Sequence, residues 1–219
     1  MHPGGAGYFR GPGAACAGRA EERDADVTFV DLPPAAAWRH QQARTGFEVV
    51  HFRRSGRGWQ VIGCTTAVEA GAPWTVEYTL DVDDTWATRR AVVTGRSPGG
   101  ARSTVLDSVG DGRWHVDGLP APDLDGCLDV DLESSAMTNA LPVHRLRLAV
   151  GRRVSAPAAY VRAVGLGVDR LEQSYTRLHD DGPHQQFHYK SPAFDFSCQL
   201  VFDPAGLVLD YPGIAVRQL

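Results

Sequence analysis

The sequence predicts an all-β, mainly antiparallel domain: one large curved sheet, a barrel or a roll, with little helix. Three observations carry that prediction. The 219 residues include 24 glycines and 14 prolines, and both residue types interrupt helix interiors. Apolar side chains alternate at Trp74, Val76, Tyr78, Leu80 and Val82, the period of a strand with one buried face. Turn clusters recur at short intervals, and no stretch sustains a helical period over ~12 residues.

Taken in order, residues 1–26 are rich in Gly, Ala, Pro and Arg and lack apolar periodicity. They read as a disordered extension before a single domain over residues 27–219. Strand-like runs follow at Val27–Leu32, closed by Pro33-Pro34, and at Phe47–Arg53, closed by the Ser55-Gly56-Arg57-Gly58 cluster. Trp59–Glu69 ends at Ala70-Gly71-Ala72-Pro73, and Trp74–Val82, Trp86–Gly95, Arg102–Val109 and Arg113–Val116 succeed it as a meander would. Pro120–Pro142 is irregular. Further runs lie at His144–Val150, Ala159–Val164, Leu171–Leu178, Gln185–Tyr189, Phe194–Phe202 and Leu207–Tyr211, and Val168–Leu178 is the one candidate for a short helix. A β-roll of about a dozen strands can wrap a ligand cavity.

Composition removes several functional classes. The net charge of −4 comes with no basic stripe, so the sequence predicts no nucleic-acid binding. No run approaches the ~20 apolar residues of a transmembrane helix, and residues 1–26 lack the ~7–15-residue apolar core of a secretory signal. Cys16, Cys64, Cys127 and Cys198 are scattered without a CxxC pair, which favours reduced thiols and a cytoplasmic location. Lys190 is the only lysine, so the abundance of arginine reflects a GC-rich coding bias before any special recognition.

Motifs for chemistry are sparse. Asp129 and Asp131, two apart in Gly126–Leu132, would share a face of an extended segment. They could hold a divalent cation or form a glycosidase pair, or simply accept backbone hydrogen bonds in a loop. Thr138-Asn139-Ala140-Leu141-Pro142 reads as a turn entering a strand. His179, His184 and His188 form no HExxH arrangement, and neither a GxSxG elbow nor a phosphate-binding glycine loop occurs. The five tryptophans, Trp38, Trp59, Trp74, Trp86 and Trp114, suit the core of a β protein, although an aromatic at a cavity mouth would also suit an amphiphile.

An ordered series of motifs is more specific than any one of these. Trp38-Arg39, Gly46-Phe47-Glu48, Tyr78, Trp86-Ala87-Thr88-Arg89 and Gly112-x-Trp114-x-x-Asp117-Gly118 form an opening block. Gly126-Cys127-x-Asp129-x-Asp131-Leu132, Thr138-Asn139-x-Leu141-Pro142 and Arg145-Leu146 form a central one. Gln173-x-Tyr175, Tyr189, Asp195-Phe196, Asp203-x-x-Gly206-x-Val208 and Tyr211-Pro212-Gly213 complete it. Together, from Trp38 onward, they resemble the bacterial putative glycolipid-binding family, formerly a domain of unknown function. Within the central block, Ser135-Ala136-Met137 and His144 depart from the usual pattern.

The resemblance implies a spiral β-roll, an open half-barrel similar to bacterial lipoprotein carriers. It also implies non-enzymatic binding of an amphiphilic molecule, a glycolipid or other lipid, with the acyl part inside the roll. Candidate ligand contacts are Trp86, Arg89, Asp129, Asp131, Thr138, Asn139, Arg145, Tyr175, Tyr189 and Tyr211. No catalytic residue, cofactor or metal is expected. The alternatives are a carbohydrate- or ester-active enzyme using Asp129 and Asp131, or a protein-interaction module.

Overall fold

The computed structural model describes residues 28–42 and 44–218; the proposed extension over residues 1–26, with Cys16, lies outside them. The chain opens with a long antiparallel meander. Its strands are β1 (Ala35–His40), β2 (Thr45–Ser55), β3 (Gly58–Glu69), β4 (Ala72–Val82), β5 (Thr88–Ser97), β6 (Gly100–Gly110), β7 (Arg113–Val116) and β8 (Leu119–Pro120). Trp74, Val76, Tyr78, Leu80 and Val82 of β4 are all buried, as their alternation predicts. Asp111-Gly112 and Asp117-Gly118 join β6 to β7 and β7 to β8, each with both residues at positive φ. That is the two-residue turn whose twist matches the flanking strands, and Asp-Gly adopts it readily.

The second half is built from shorter pieces: β9 (Asp129–Leu132), helix α1 (Ala140–Leu146), β10 (Arg153–Ser155), β11 (Ala158–Val161), β12 (Val168–Leu171) and β13 (Ser174–Arg177). It ends with β14 (Gln185–Ser191), β15 (Phe196–Phe202), β16 (Val208–Tyr211) and β17 (Ala215–Gln218). Fourteen strands form one open sheet, in the order β10-β13-β14-β15-β16-β17-β1-β2-β3-β4-β5-β6-β7-β8. β9, β11 and β12 form a separate three-stranded sheet in which β9 and β11 run parallel. The architecture is therefore the predicted mostly antiparallel open roll with one short α-helix.

Polar side chains bind the small sheet and its loops to the meander. Thr65 Oγ1 donates to the Ser134 carbonyl at 2.8 Å, the Trp114 indole N–H to the Cys127 carbonyl at 2.9 Å, and Arg44 Nη1 to the Glu133 carbonyl at 3.0 Å. The interior is filled rather than hollow. Trp38, Leu80, Leu106, Trp114, Met137 and Leu141 are buried in one cluster, and Tyr175, Phe187, Leu200 and Phe202 in a second. A packed core of this kind has few voids larger than a water molecule.

Several local expectations are corrected. Residues 28–33 form no strand; Val30 N–H donates to the Pro204 carbonyl, and the Phe29 ring packs on His144 with centroids 4.2 Å apart. His144–Val150 is not a strand, because α1 runs to Leu146 and Arg147 closes it in the left-handed conformation. Pro142 is tolerated there because it sits in the first turn, where its missing N–H needs no partner. Val168–Leu178 is β12 and β13, with Leu171, Gln173, Tyr175 and Arg177 buried at period two. β1, β10 and β17 carry no strong alternation of large apolar residues, and the parallel β9–β11 pairing depends on residues ~30 apart.

Candidate functional site

An inner pocket of about 230 Å³ opens where the small sheet meets β14 and β16. β9 supplies Asp131, the following 3-10 turn supplies Asn139, β14 supplies Tyr189 and Ser191, and β16 supplies Tyr211. Tyr160, Phe194 and Phe196 add aromatic walls.

Asp131 sets the electrostatics. Its carboxylate accepts a hydrogen bond from Thr138 Oγ1 at 2.8 Å. Burial, with the nearby charges of Asp129 and Glu133, pushes it up to about 6 despite the Thr138 bond. Asn139 Oδ1 accepts from the Tyr175 hydroxyl at 2.9 Å, and Gln173 Oε1 accepts from the Tyr189 hydroxyl at 2.9 Å. Burial raises the Tyr175, Tyr189 and Tyr211 hydroxyls above the ordinary phenol value, so all three stay protonated at neutral pH. The Tyr189 and Tyr211 rings meet edge to face with centroids 6.0 Å apart, and Phe196 packs on both.

The loop that carries the pocket is pinned from behind by Glu48 on β2. Its fully buried carboxylate accepts from the Tyr78 hydroxyl at 2.7 Å, from the Ala136 N–H at 2.8 Å and from Ser135 Oγ. Burial raises the Glu48 carboxyl, against the opposing hydrogen bonds from Ser135, Tyr78, Ala136 and Met137.

Of the ten residues singled out from sequence, the fold gathers Asp131, Thr138, Asn139, Tyr175, Tyr189 and Tyr211 in and behind this pocket. The other four lie elsewhere. Asp129 receives two bonds from Arg145, Nε at 3.0 Å and Nη2 at 2.5 Å, and the pair ties β9 to α1. Trp86 stacks on His144 with centroids 3.8 Å apart. Arg89 is exposed and paired with Asp83 at 2.5 Å. Sequence reasoning did not single out Ser191, Tyr160, Gln173 or Arg44 as site residues. Ser191 had a signal, since it stands two residues from Tyr189 and so shares its face; for Arg44 none existed. Among the described residues no three His, Cys, Asp or Glu side chains group as metal ligands, and no helix is long and apolar enough to cross a membrane.

A second, larger hollow of about 980 Å³ lies at the β1–β5 rim and shares Arg44 with the inner pocket.

Comparison with known proteins bears on the whole domain. A solved structure from Pseudomonas aeruginosa, a DUF1089 family protein, is 35% identical, covers 79% of this chain and 92% of its own, and superposes with a TM-score of 0.69. A β-barrel-like protein of unknown function, DUF1849, from Brucella abortus is 12% identical, with coverages of 84% and 93% and a TM-score of 0.49. No curated protein matches the chain. The family model described as "Putative glycolipid-binding" matches residues 35–217, and the chain belongs to that family.

Proposed function

We propose that the protein binds an amphiphilic molecule without transforming it, holding a hydroxyl-rich headgroup in the inner pocket. The carrying observation is the convergence of Asp131, Asn139, Ser191, Tyr189 and Tyr211 beside Phe194 and Phe196. Carboxylate, amide and hydroxyl groups exchange hydrogen bonds with sugar hydroxyls, while aromatic rings cover the apolar ring faces. The volume suits one sugar ring: at ~30 Å³ per water it equals roughly eight waters. The family description agrees with an amphiphilic ligand.

Calorimetric titration with octyl glucoside, a neutral alkyl glycoside, tests the reading. Saturable binding is expected, weakened about tenfold by Asn139→Ala or Tyr211→Phe. Absence of saturable binding to any of a panel of alkyl glycosides would refute it.

One observation favours a second reading, hydrolysis of a sugar or sugar ester. The Asp131 carboxyl at about 6 is poised for proton transfer near neutral pH. Asp129 offers no free partner, because Arg145 holds both its oxygens. Under this reading Asp131→Asn abolishes turnover of a chromogenic glycoside or ester while substrate binding survives.

A further inference from the structure

The rim groove differs in character from the inner pocket. One row of paired residues crosses five strands: Arg39 of β1, Phe47 of β2, Thr66 of β3, Thr75 of β4 and Arg96 of β5. Four strand spacings of ~4.8 Å set its two arginines ~19 Å apart. Val68 and Trp74 add apolar surface, and Phe47 and Val68 remain 39% and 46% exposed. The lining contains no aspartate or glutamate, although the whole chain carries four more acidic than basic residues. Among the described residues neither Arg39 nor Arg96 forms an ion pair.

The groove also holds unused buried donors. Arg44 lies over the Trp74 ring with its guanidinium carbon 5.3 Å from the ring centroid. Arg44 Nε and Trp74 Nε1 are buried donors without a hydrogen-bond partner, the neutral His40 leaves one ring donor and one ring acceptor unpaired, and all three residues line the groove. Glu69 stands 3.8 Å from Arg44 Nε, too far for a hydrogen bond. Buried donors left unpaired in a native fold call for an explanation, and a bound acceptor is one.

We infer that the rim groove is a binding site for a single apolar chain ending in an anionic group, a carboxylate or a phosphate. The chain lies along the Phe47 and Val68 surface, removing it from water, while the anion meets Arg39 at the end of the row beside the turn that carries Arg44. A guanidinium presents paired donors to either anion. The inference does not rest on the headgroup pocket, since the two sites share only Arg44, the groove has no counterpart of the pocket's Asp131 and Glu133, and the two take different probes.

Tryptophan fluorescence titrations of the full chain, kept below micelle formation, decide it. Dodecanoate and dodecyl phosphate are expected to bind saturably, with dodecanol about tenfold weaker for lack of the charge. The double variant Arg39→Glu, Arg96→Glu changes two exposed side chains; it should weaken dodecanoate by about tenfold or more and leave the thermal midpoint unchanged. Asn139→Ala, which tests the headgroup pocket, should leave dodecanoate binding intact. Equal affinity for dodecanoate and dodecanol would overturn the proposal, as would indifference to the double variant. So would inorganic phosphate binding as tightly as dodecyl phosphate, or association with anionic phosphatidylglycerol vesicles but not with monomeric dodecanoate.

Discussion

The meander and the segment that fills it are built by opposite rules. From β1 to β8 neighbours in sequence are neighbours in space, β2 to β6 run ten to twelve residues each, and the buried face is apolar with few polar members. From β9 to β13 the strands have three or four residues, one pairing is parallel, and side-chain hydrogen bonds do much of the joining. The headgroup pocket lies where this second kind of structure meets β14 and β16. A regular sheet face offers a surface fixed by backbone hydrogen bonds. Short irregular segments can instead aim Asp131, Asn139 and Tyr211 at one point, at the expense of burying polar groups.

Substitutions can break that contrast or sharpen it. Leu80→Ala opens a cavity in the meander and should lower stability by about 2–5 kcal/mol. Chemical denaturation reads that loss, and octyl glucoside affinity should not change. Glu48→Ala should cost about 3 kcal/mol, because it leaves the Tyr78 and Ser135 hydroxyls and the Ala136 N–H without their acceptor. Unlike Leu80→Ala, it should also loosen the pocket loop and weaken octyl glucoside. If both variants affected binding equally, the two regions would not be separable.

Asp131→Asn should act with the opposite sign on stability. Its folded-state value near 6 lies above the ordinary aspartate value of 3.8, so the folded protein holds that proton more tightly than the unfolded chain. The favourable contribution is complete below the unfolded value and is lost as pH rises through about 6. The variant should therefore gain up to roughly 3 kcal/mol at pH ~7.5, a gain that disappears below pH ~4. Thermal melts of both proteins across this range supply the check, and a constant difference would show that the carboxylate is not desolvated. The histidines respond in the reverse sense. Burial lowers His40 and His144 to about 4, so their contribution is lost as pH falls from the free histidine value towards 4. Smallest of all, Arg89→Ala removes an exposed pair with Asp83 and should cost under about 1 kcal/mol, leaving binding untouched.

The same division explains what could be read from the sequence. In β4 every second residue is large and apolar, and Asp111-Gly112 and Asp117-Gly118 announce their turns. The meander was therefore legible. Leu171–Arg177 has period two as well and reads as a strand-like run, but Gln173 and Arg177 occupy buried positions, and polar residues there leave a short helix as a rival reading. Helix α1 escaped because a proline stands in its first turn and seven residues are too few to establish a period. Asp131 drew notice through its spacing to Asp129, but its convergence with Tyr189 and Tyr211 could not be read from spacing, since the three come from separate strands. Arg89 and Trp86 share those blocks yet serve an exposed ion pair and a stack on His144. Arg44 has no motif at all, and only the folded rim gives it neighbours.

The pairing of β1 with β17 has a consequence for biosynthesis. Trp38 donates its indole N–H to the Val208 carbonyl at 2.7 Å across 170 residues of chain, and β1 closes on β17 through Arg39↔Val216 and His40↔Ala215. A ribosome adding ~5–20 residues per second takes on the order of ten seconds or more to travel that far. Throughout that interval the meander can form its hairpins, but β1 offers an unpaired edge and Trp38 lacks its cover. Exposed edges of this kind recruit other strands. Cells producing the protein face a timed hazard that ends only when residues 215–218 emerge. Variants that slow synthesis between β8 and β17 should aggregate more, even though the finished fold is unchanged.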